Sequence, residues 1–140
     1  MRINDKIDEI QEYISELEEI IPSDFESYQK DHKTKAACER YFEKIIEAIV
    51  DLAFLVIKDK GLKTPEEDKQ AFDILAQESL ISAKLAESLK DAKGMRNIIT
   101  HEYGSIDDEV VFQAITGEIV DDAKQLLEEI NAKHRKAKDG

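Results

Sequence analysis

The chain has 140 residues, which fits one domain that buries a hydrophobic core without disulfides or metal ions. Its 32 acidic and 20 basic residues give a net charge of −12, which argues against a protein that coats nucleic acid nonspecifically. No segment approaches the ~18 consecutive apolar residues of a membrane helix. The single cysteine, Cys38, cannot form an internal disulfide and lies in an apolar stretch. We therefore expect one soluble domain at 1–140 with a basic C-terminal tail at about 133–140, located in the reducing cytoplasm and not in a membrane.

Apolar residues recur at three- and four-residue spacings along the first sixty residues, which predicts helices. A first helix is expected near 3–21, ended by Pro22, and Ser23 with Glu26 resembles a capping box that opens a short second helix. The next helix, near 34–60, has apolar residues on more than one face. Such a helix is either flanked by neighbouring helices or buried in a subunit contact. Gly61 fits its C-terminal cap.

The second half of the chain predicts three further helices. Thr64 as N-cap and Pro65 as first helical residue open a helix near 66–78. Ser82 caps one near 82–103, which we expect to continue through Gly94, where the absence of a side chain would allow close approach of another helix, a kink being the alternative. Asp107 caps the last, near 107–135. The sequence thus predicts an all-α antiparallel bundle of five main helices and one short helix.

One stretch, from Gly94 to Tyr103, brings together polar groups that can do chemistry. Helical periodicity gives it a polar front and an apolar back. The front carries Arg96, Asn97, Thr100, His101 and Tyr103, and the back carries Met95, Ile98 and Ile99. A histidine near an arginine on such a helix is more often a surface arrangement than a catalytic pair. There is no metal-ligand spacing or phosphate-binding glycine loop, so we expect neither a metal nor a cofactor.

Basic residues accompany this stretch despite the acidic total. Lysines and arginines recur on its own helix and on the helix near 34–60, which could pack nearby, and together they predict a small basic cleft on an acidic body. They are Lys84, Lys90, Lys93 and Arg96 on the first, and Lys33, Lys35, Arg40 and Lys44 on the second.

The pattern Arg-Asn-x-x-x-His-x-Tyr at 96–103, preceded by Gly-Met and followed by Ile106-Asp107, resembles the signature of the HepT-type branch of the HEPN superfamily. The resemblance also takes in Glu39-Arg40 and the run from Ile46 to Ala53, and it spans nearly the whole chain. It implies a metal-independent endoribonuclease toxin of a type VII-like toxin–antitoxin system. Arg96, Asn97 and His101 would then be catalytic, and Glu39 and Arg40 would line the cleft opposite the motif.

Such a mechanism suits these side chains. Arginine can hold two phosphate oxygens at once, and histidine can exchange a proton near neutral pH. Because each chain supplies one such histidine, a two-site acid–base scheme needs either water or a second copy, and the resemblance implies a homodimer that pairs its motifs across a twofold axis. We expect RNA, either tRNA or mRNA, as the substrate and not DNA.

The resemblance also implies a partner, a cognate minimal nucleotidyltransferase antitoxin that transfers AMP to Tyr103. Without the resemblance, Tyr103 would be an ordinary aromatic residue at a helix end. The alternative is a noncatalytic helical dimer that binds a nucleotide or serves as the regulatory subunit of a nucleotidyltransferase. The acidic net charge favours this alternative, and the complete motif favours the ribonuclease.

Overall fold

The computed structural model describes the backbone of residues 2–101 and 107–139 and the side chains of 2–99 and 107–133. The described chain is helical and contains no strand, which confirms the predicted all-α class. Its α-helices are α1 (Arg2–Ile20), α2 (Phe25–Lys30), α3 (His32–Asp59), α4 (Asp68–Gln77), α5 (Ala83–His101), α6 (Asp108–Gln113) and α7 (Ile119–Asp139). A π-helical turn, Ala114–Glu118, joins α6 to α7. No described helix is both long enough and apolar enough to cross a membrane.

Four long helices form an antiparallel bundle, as the pairing of early with late residues shows. Side-chain contacts between α1 and α3 join Lys6 to Asp51 and Glu16 to Tyr41. On α5 and α7, the backbone N–H of Ser82 donates to Glu129, whereas Met95 shares a cleft with Ile119. Helix α4 packs along α5, which fixes the position of its first residues beside the motif.

Helix α3 is the centre of the bundle. It contacts α1, α4, α5 and α7, and its buried residues lie on several faces, from Cys38 to Ile57. Of the two alternatives for this helix, burial by neighbouring helices of the same chain is therefore the one observed. The core does not need a second subunit to cover α3.

Three predicted helix ends agree with the structure. Ser82 Oγ accepts a hydrogen bond from the N–H of Leu85 at 3.1 Å, and Asp107 Oδ1 accepts one from Glu109 at 3.0 Å. Gly61 has a φ of 70°, which a residue without a Cβ adopts at no steric cost, so it ends α3 as expected.

Two predicted helix starts are wrong. Helix α4 begins at Asp68 and not after Thr64-Pro65, because the side-chain oxygen of Gln70 accepts hydrogen bonds from the N–H groups of Glu66 and Glu67 at 3.0 and 3.3 Å. These bonds hold 66–67 outside the helix. Helix α2 is capped one residue later than predicted, since Asp24 Oδ1 accepts from the N–H of Ser27 at 2.7 Å.

The last helix differs from the uninterrupted one predicted near 107–135. Helix runs from Asp108 to Asp139, past the predicted end, but it contains the π-helical turn. Within it the hydroxyl of Thr116 donates to the carbonyl oxygen of Phe112 at 2.8 Å, and Gly117 has open space where a Cβ would lie. The extra residue of a π turn leaves the apolar spacing almost helical, so periodicity alone does not reveal it.

Candidate active site

Helix α5 carries the polar motif and continues through Gly94 to His101, as predicted. The expected close approach of another helix at Gly94 is wrong. A Cβ built there would meet one neighbouring atom within 4 Å, the Nζ of Lys69 on α4, at 3.5 Å. A flexible lysine side chain, and not a helix backbone, therefore lies against this glycine.

Three consecutive motif residues point to three different neighbours. Arg96 contacts α3, where a terminal guanidinium nitrogen, Nη2, donates a short hydrogen bond to Glu47. Asn97 lines a cleft beside the first residues of α4, and Met95 lines a separate cleft against α7. The motif helix is thus wedged between α3, α4 and α7, with its guanidinium on the α3 side.

Arg96 is largely buried, with 19% of its side chain exposed. Its Nε is buried and has no hydrogen-bond acceptor among the described residues. Glu47, whose side chain is 45% exposed, fixes one edge of the guanidinium. The sequence did not single out Glu47, which was interpreted as part of a solvated acidic face. Its place in the largely apolar run from Ile46 to Ala53 is the signal that could have done so.

Glu39 and Arg40 lie on the part of α3 between two contacts with the second half of the chain. One is Glu47 with Arg96, and the other is an ion pair of 2.8 Å between Lys35 and Asp108. Arg40 is exposed and pairs with Glu43 on its own helix at 3.1 Å. Glu39 is about 12 Å along the helix axis from Glu47. The guanidinium of Arg96 is bound instead by Glu47, and the side-chain oxygen of Asn97 by Lys93.

The remaining motif residues fall at the edge of the described chain. His101 is the last residue of α5, and its side chain lies outside the described residues. Tyr103, the expected AMP acceptor, also lies outside them. Their roles stay predictions, carried by the backbone of α5 that leads to them.

The predicted apolar back of the motif holds only in part. Ile99 is buried, but Ile98 is 40% exposed. Ile98 and Val110, which is 47% exposed, are the large apolar side chains left open to solvent in the described part of the chain. The motif helix therefore presents an apolar residue to solvent beside Arg96 and Asn97.

The predicted basic cleft is largely neutralised by carboxylates. On α5, Lys90 pairs with Asp73 at 3.0 Å and Lys93 with Asp68 at 3.2 Å. On α3, the Nζ of Lys44 lies over the rings of Tyr13 and Tyr41 at 5.6 and 5.5 Å from their centroids. Most of the cations counted from the sequence are therefore occupied within the chain.

A large cleft of about 480 Å³ lies on the α7 side of α5 and has an acidic rim. Its rim carries Asp91, Glu118, Asp121 and Asp122, and burial, followed by the charges of Glu118 and Asp121, raises the pKa of Asp122 above its usual value. Such a rim repels phosphate, so size alone does not make this cleft the substrate site.

Within the described residues, no group of histidine, cysteine or acidic side chains is arranged to hold a metal ion. The thiol of Cys38 is buried, and burial raises its pKa to about 11, which keeps it protonated and unreactive near neutral pH. The thiol is therefore part of the core, as its position in the sequence suggested.

Comparison with known proteins agrees with this architecture. The family model described as "Ribonuclease HepT-like" matches residues 10–130. The chain is 25% identical over 130 residues to the mRNA nuclease HepT of Shewanella oneidensis, covering 93% of this chain and 96% of that one. It is 24% identical over 114 residues to the tRNA nuclease HepT of Aphanizomenon flos-aquae, covering 81% and 78%.

A solved structure is similar over nearly the same length. It is the tri-AMPylated Shewanella oneidensis HEPN toxin in complex with its MNT antitoxin, with a TM-score of 0.86 and 25% identity, covering 93% of this chain and 96% of that one. The helical bundle described above is therefore shared with a toxin that carries AMP and binds an antitoxin.

Proposed function

This chain belongs to the ribonuclease HepT-like family, and from that premise we propose that it is a metal-independent endoribonuclease toxin silenced by AMP transfer from a cognate minimal nucleotidyltransferase. The observation that carries the proposal is the unbroken course of α5 through Gly94 to His101. It places Arg96, Asn97 and His101 on the last turns of one helix, in the order and spacing of the motif. RNA, either mRNA or tRNA as in the two relatives, is the proposed substrate.

In this proposal, each polar group has a role in cleavage by the 2′-hydroxyl of the ribose. His101 takes the proton of the 2′-OH or protonates the leaving 5′-oxygen, because histidine can act as a base or an acid near neutral pH. Arg96 stabilises the charge that develops on the phosphate in the transition state. Asn97, one turn before His101, orients the imidazole or binds the phosphate. Glu39 and Arg40 line the opposite wall of the cleft.

Water or the histidine of a second copy must supply the complementary proton transfer, since each chain has one motif histidine. We propose a homodimer in which the two motifs face a shared cleft. We also propose that residues 1–140 act as one domain in that dimer.

Tyr103 is the proposed control point. The nucleotidyltransferase would join the α-phosphate of ATP to the phenol oxygen, with release of pyrophosphate. The attached phosphodiester would compete with RNA for Arg96, which lies seven residues earlier, about two helical turns along the same helical stripe if the helix continued. AMP on this tyrosine would therefore block cleavage by charge and by bulk.

The test of cleavage uses the purified protein, a defined RNA oligonucleotide and EDTA. We expect wild type to cut the RNA and His101→Ala to lose at least about 100-fold in rate, the usual contribution of a proton-transfer group. His32→Ala is the matched control, because His32 is exposed at the first residue of α3 and should leave the rate unchanged. Equal rates in wild type and His101→Ala would show that this histidine is not catalytic.

A noncatalytic regulatory subunit is the second candidate, and the neutralised cations favour it. Arg96 is held by Glu47, and Lys90 and Lys93 also have carboxylate partners. In that case the pure protein would not cleave RNA at any salt concentration, yet would still bind the nucleotidyltransferase. Cleavage in EDTA that depends on His101 would exclude this candidate.

A further inference from the structure

Lys69 differs from the other cations at the contact between α4 and α5. Lys90 and Lys93 each have a carboxylate partner, at 3.0 and 3.2 Å. Lys69 is exposed, and in the described part of the chain it makes no ion pair or hydrogen bond. Its Nζ nevertheless lies close to α5, 3.5 Å from the point that a Cβ on Gly94 would occupy. Among the described residues, an ammonium group that makes no ion pair thus lies against the motif helix.

Gly94 provides the surface on which this ammonium rests. A side chain larger than that of alanine would reach between Lys69 and α5, because among the described residues the Nζ of Lys69 is the one neighbouring atom within 4 Å of that point. Gly94 precedes Asn97 by three residues, so the two lie on neighbouring turns of the same helix face. The glycine before the motif therefore brings the charge of Lys69 to the level of the motif.

Lys69 and Asn97 line the same open cleft, which has a volume of about 380 Å³. Lys93 also lines it and donates to the side-chain oxygen of Asn97 at 3.3 Å, which directs the amide N–H groups of Asn97 away from Lys93. Glu67 and Asp68 complete the lining, and Asp68 is neutralised by Lys93. Beside the carboxylate of Glu67, the cleft therefore offers one ammonium that makes no ion pair among the described residues and one amide donor, both of which can bind a phosphate oxygen.

We propose that Lys69, together with the Asn97 amide, binds a backbone phosphate of the RNA next to the one that is cleaved. The proposal rests on the proposed ribonuclease function and adds a substrate-positioning residue on α4 that the motif does not contain. Gly94 and His101 are about 10 Å apart along α5, so the phosphate at Lys69 is a neighbour of the scissile phosphate and not the same group. Lysine acts here as a point charge, so the contact is independent of base sequence.

The experiment measures cleavage of a defined RNA oligonucleotide. Separately, it measures binding of the 2′-O-methyl form, which is not cleaved because it lacks the 2′-OH nucleophile. Lys69→Ala should raise KM and the Kd of the 2′-O-methyl RNA about fivefold, with kcat within about twofold, as expected for a single phosphate contact. The slope of log Kd against log salt should fall by about 0.7. Lys63→Ala is the control, because Lys63 is an exposed lysine of the preceding loop that does not line the cleft.

Gly94→Val provides a second variant that leaves Lys69 in the chain. Valine is no worse than glycine in a helix, so the fold should survive, and its methyl groups should displace the ammonium and raise Kd as Lys69→Ala does. The double variant should be no weaker than either single one, because both remove the same contact. Circular dichroism checks that each variant is folded.

The outcomes separate the two proposals. If wild type cleaves RNA but Lys69→Ala equals Lys63→Ala in Kd and salt slope, the lysine merely covers Gly94 and this inference is overturned, while the ribonuclease stands. If wild type neither cleaves nor binds the RNA, the proposed function fails and takes this inference with it. A loss in kcat alone, with Kd unchanged, would also overturn the assignment.

Discussion

At residue 96, the guanidinium expected to hold phosphate is already bound to a carboxylate. A substrate phosphate that replaced Glu47 would keep the guanidinium paired with an anion. Arginine has five N–H donors in a planar fork, and Glu47 accepts from Nη2. Glu47 therefore restricts the orientation of the guanidinium without using all of its donors, which is compatible with a role in positioning it.

At residue 103, the phenol is expected to control activity without taking part in cleavage. Tyr103→Phe should keep the fold and most of the cleavage activity, because no proton transfer is assigned to it, and should escape silencing by the nucleotidyltransferase. Intact mass spectrometry after incubation with the partner and ATP measures the added AMP, and RNA cleavage measures silencing.

Two outcomes would contradict the role of Tyr103. If Tyr103→Phe is still silenced through AMP on another residue, that residue is the control point. If it stays folded but loses cleavage, Tyr103 belongs with Arg96 and His101 in the catalytic set.

At residue 122, a carboxyl is held where its charge is unfavourable. Burial raises the pKa of Asp122 above its value of 3.8 in the unfolded chain, and Glu118 and Asp121 add to the shift. The folded state thus prefers the protonated form, and the ionised form destabilises it at pH values above the folded pKa. Asp122→Asn should raise the melting temperature at pH 7, and the gain should shrink as acidification protonates the wild-type carboxyl.

Thermal melts between pH 7 and pH 4 test this, with Asp8→Asn as the control because Asp8 is exposed on α1. Loss of one negative charge from an acidic chain could stabilise both variants slightly. A gain for Asp122→Asn that is no larger than that of Asp8→Asn, or that does not change with pH, would contradict the assignment.

At the scale of the helix, Gly94 lowers the stability of α5 just before the motif. Gly94→Ala should raise the free energy of unfolding by about 1 kcal/mol, because alanine is the better helix former and its Cβ would make an ordinary contact with Lys69. Denaturant unfolding measures the change. Gly61→Ala is the contrasting variant, since a φ of 70° strains alanine and should destabilise the protein. A loss of stability in Gly94→Ala would show that α5 is not continuous there.

Helix type and approximate extent followed from the sequence wherever one local contact decides them. Ser82 and Asp107 cap their helices through hydrogen bonds to residues two or three positions later, so their roles could be predicted from the local sequence. The start of α4 could not be predicted in this way. Its position depends on Gln70, inside the helix, whose side-chain oxygen accepts hydrogen bonds from the N–H groups of Glu66 and Glu67. The π-helical turn could not be predicted either, since Val111, Ile115 and Ile119 recur at every fourth position, which is also the spacing of an α-helix.

The motif was found from the sequence, but its surroundings were not. Periodicity put Arg96 and Asn97 on neighbouring stripes, yet it does not say which helix each stripe faces. Arg96 meets Glu47 on α3, and Asn97 lies beside Lys69 of α4. Both neighbours come from packing between distant parts of the chain. The prediction that Ile98 faces inward failed for the same reason. Periodicity identifies the apolar side of α5 but does not say how much of that side the core covers, and the core covers Ile99 but leaves Ile98 exposed.

At the scale of the whole molecule, most of the basic side chains near the motif are neutralised by ion pairs within the chain. A body with a net charge of −12 repels RNA at long range, so binding must come from the few cations that remain available. Activity should consequently depend steeply on the local contacts of Arg96 and Lys69 and little on other surface lysines. The small number of available cations also suits a toxin that is switched off by one added phosphodiester. Once that group occupies Arg96, few other cations remain to bind RNA.

The homodimer is the prediction that concerns the whole assembly. The buried faces of α3 are covered by its own chain. We therefore place the subunit contact at the exposed Ile98, beside Arg96 and Asn97 on the motif helix. An interface centred there would bring two motifs together, so that the motif histidine of each copy could serve the shared cleft. Light scattering should give twice the chain mass of 16.0 kDa for wild type.

Ile98→Asp should convert this dimer to monomer and abolish cleavage, because it puts a charge at the centre of the contact while leaving the chain's own core intact. Ala83→Asp places the same charge at the exposed first turn of α5 and should change neither mass nor activity. A mass of one chain for wild type at high protein concentration would remove the shared cleft, and His101 would then need water as its partner. A dimer that persists in Ile98→Asp, with cleavage retained, would place the subunit contact on another face.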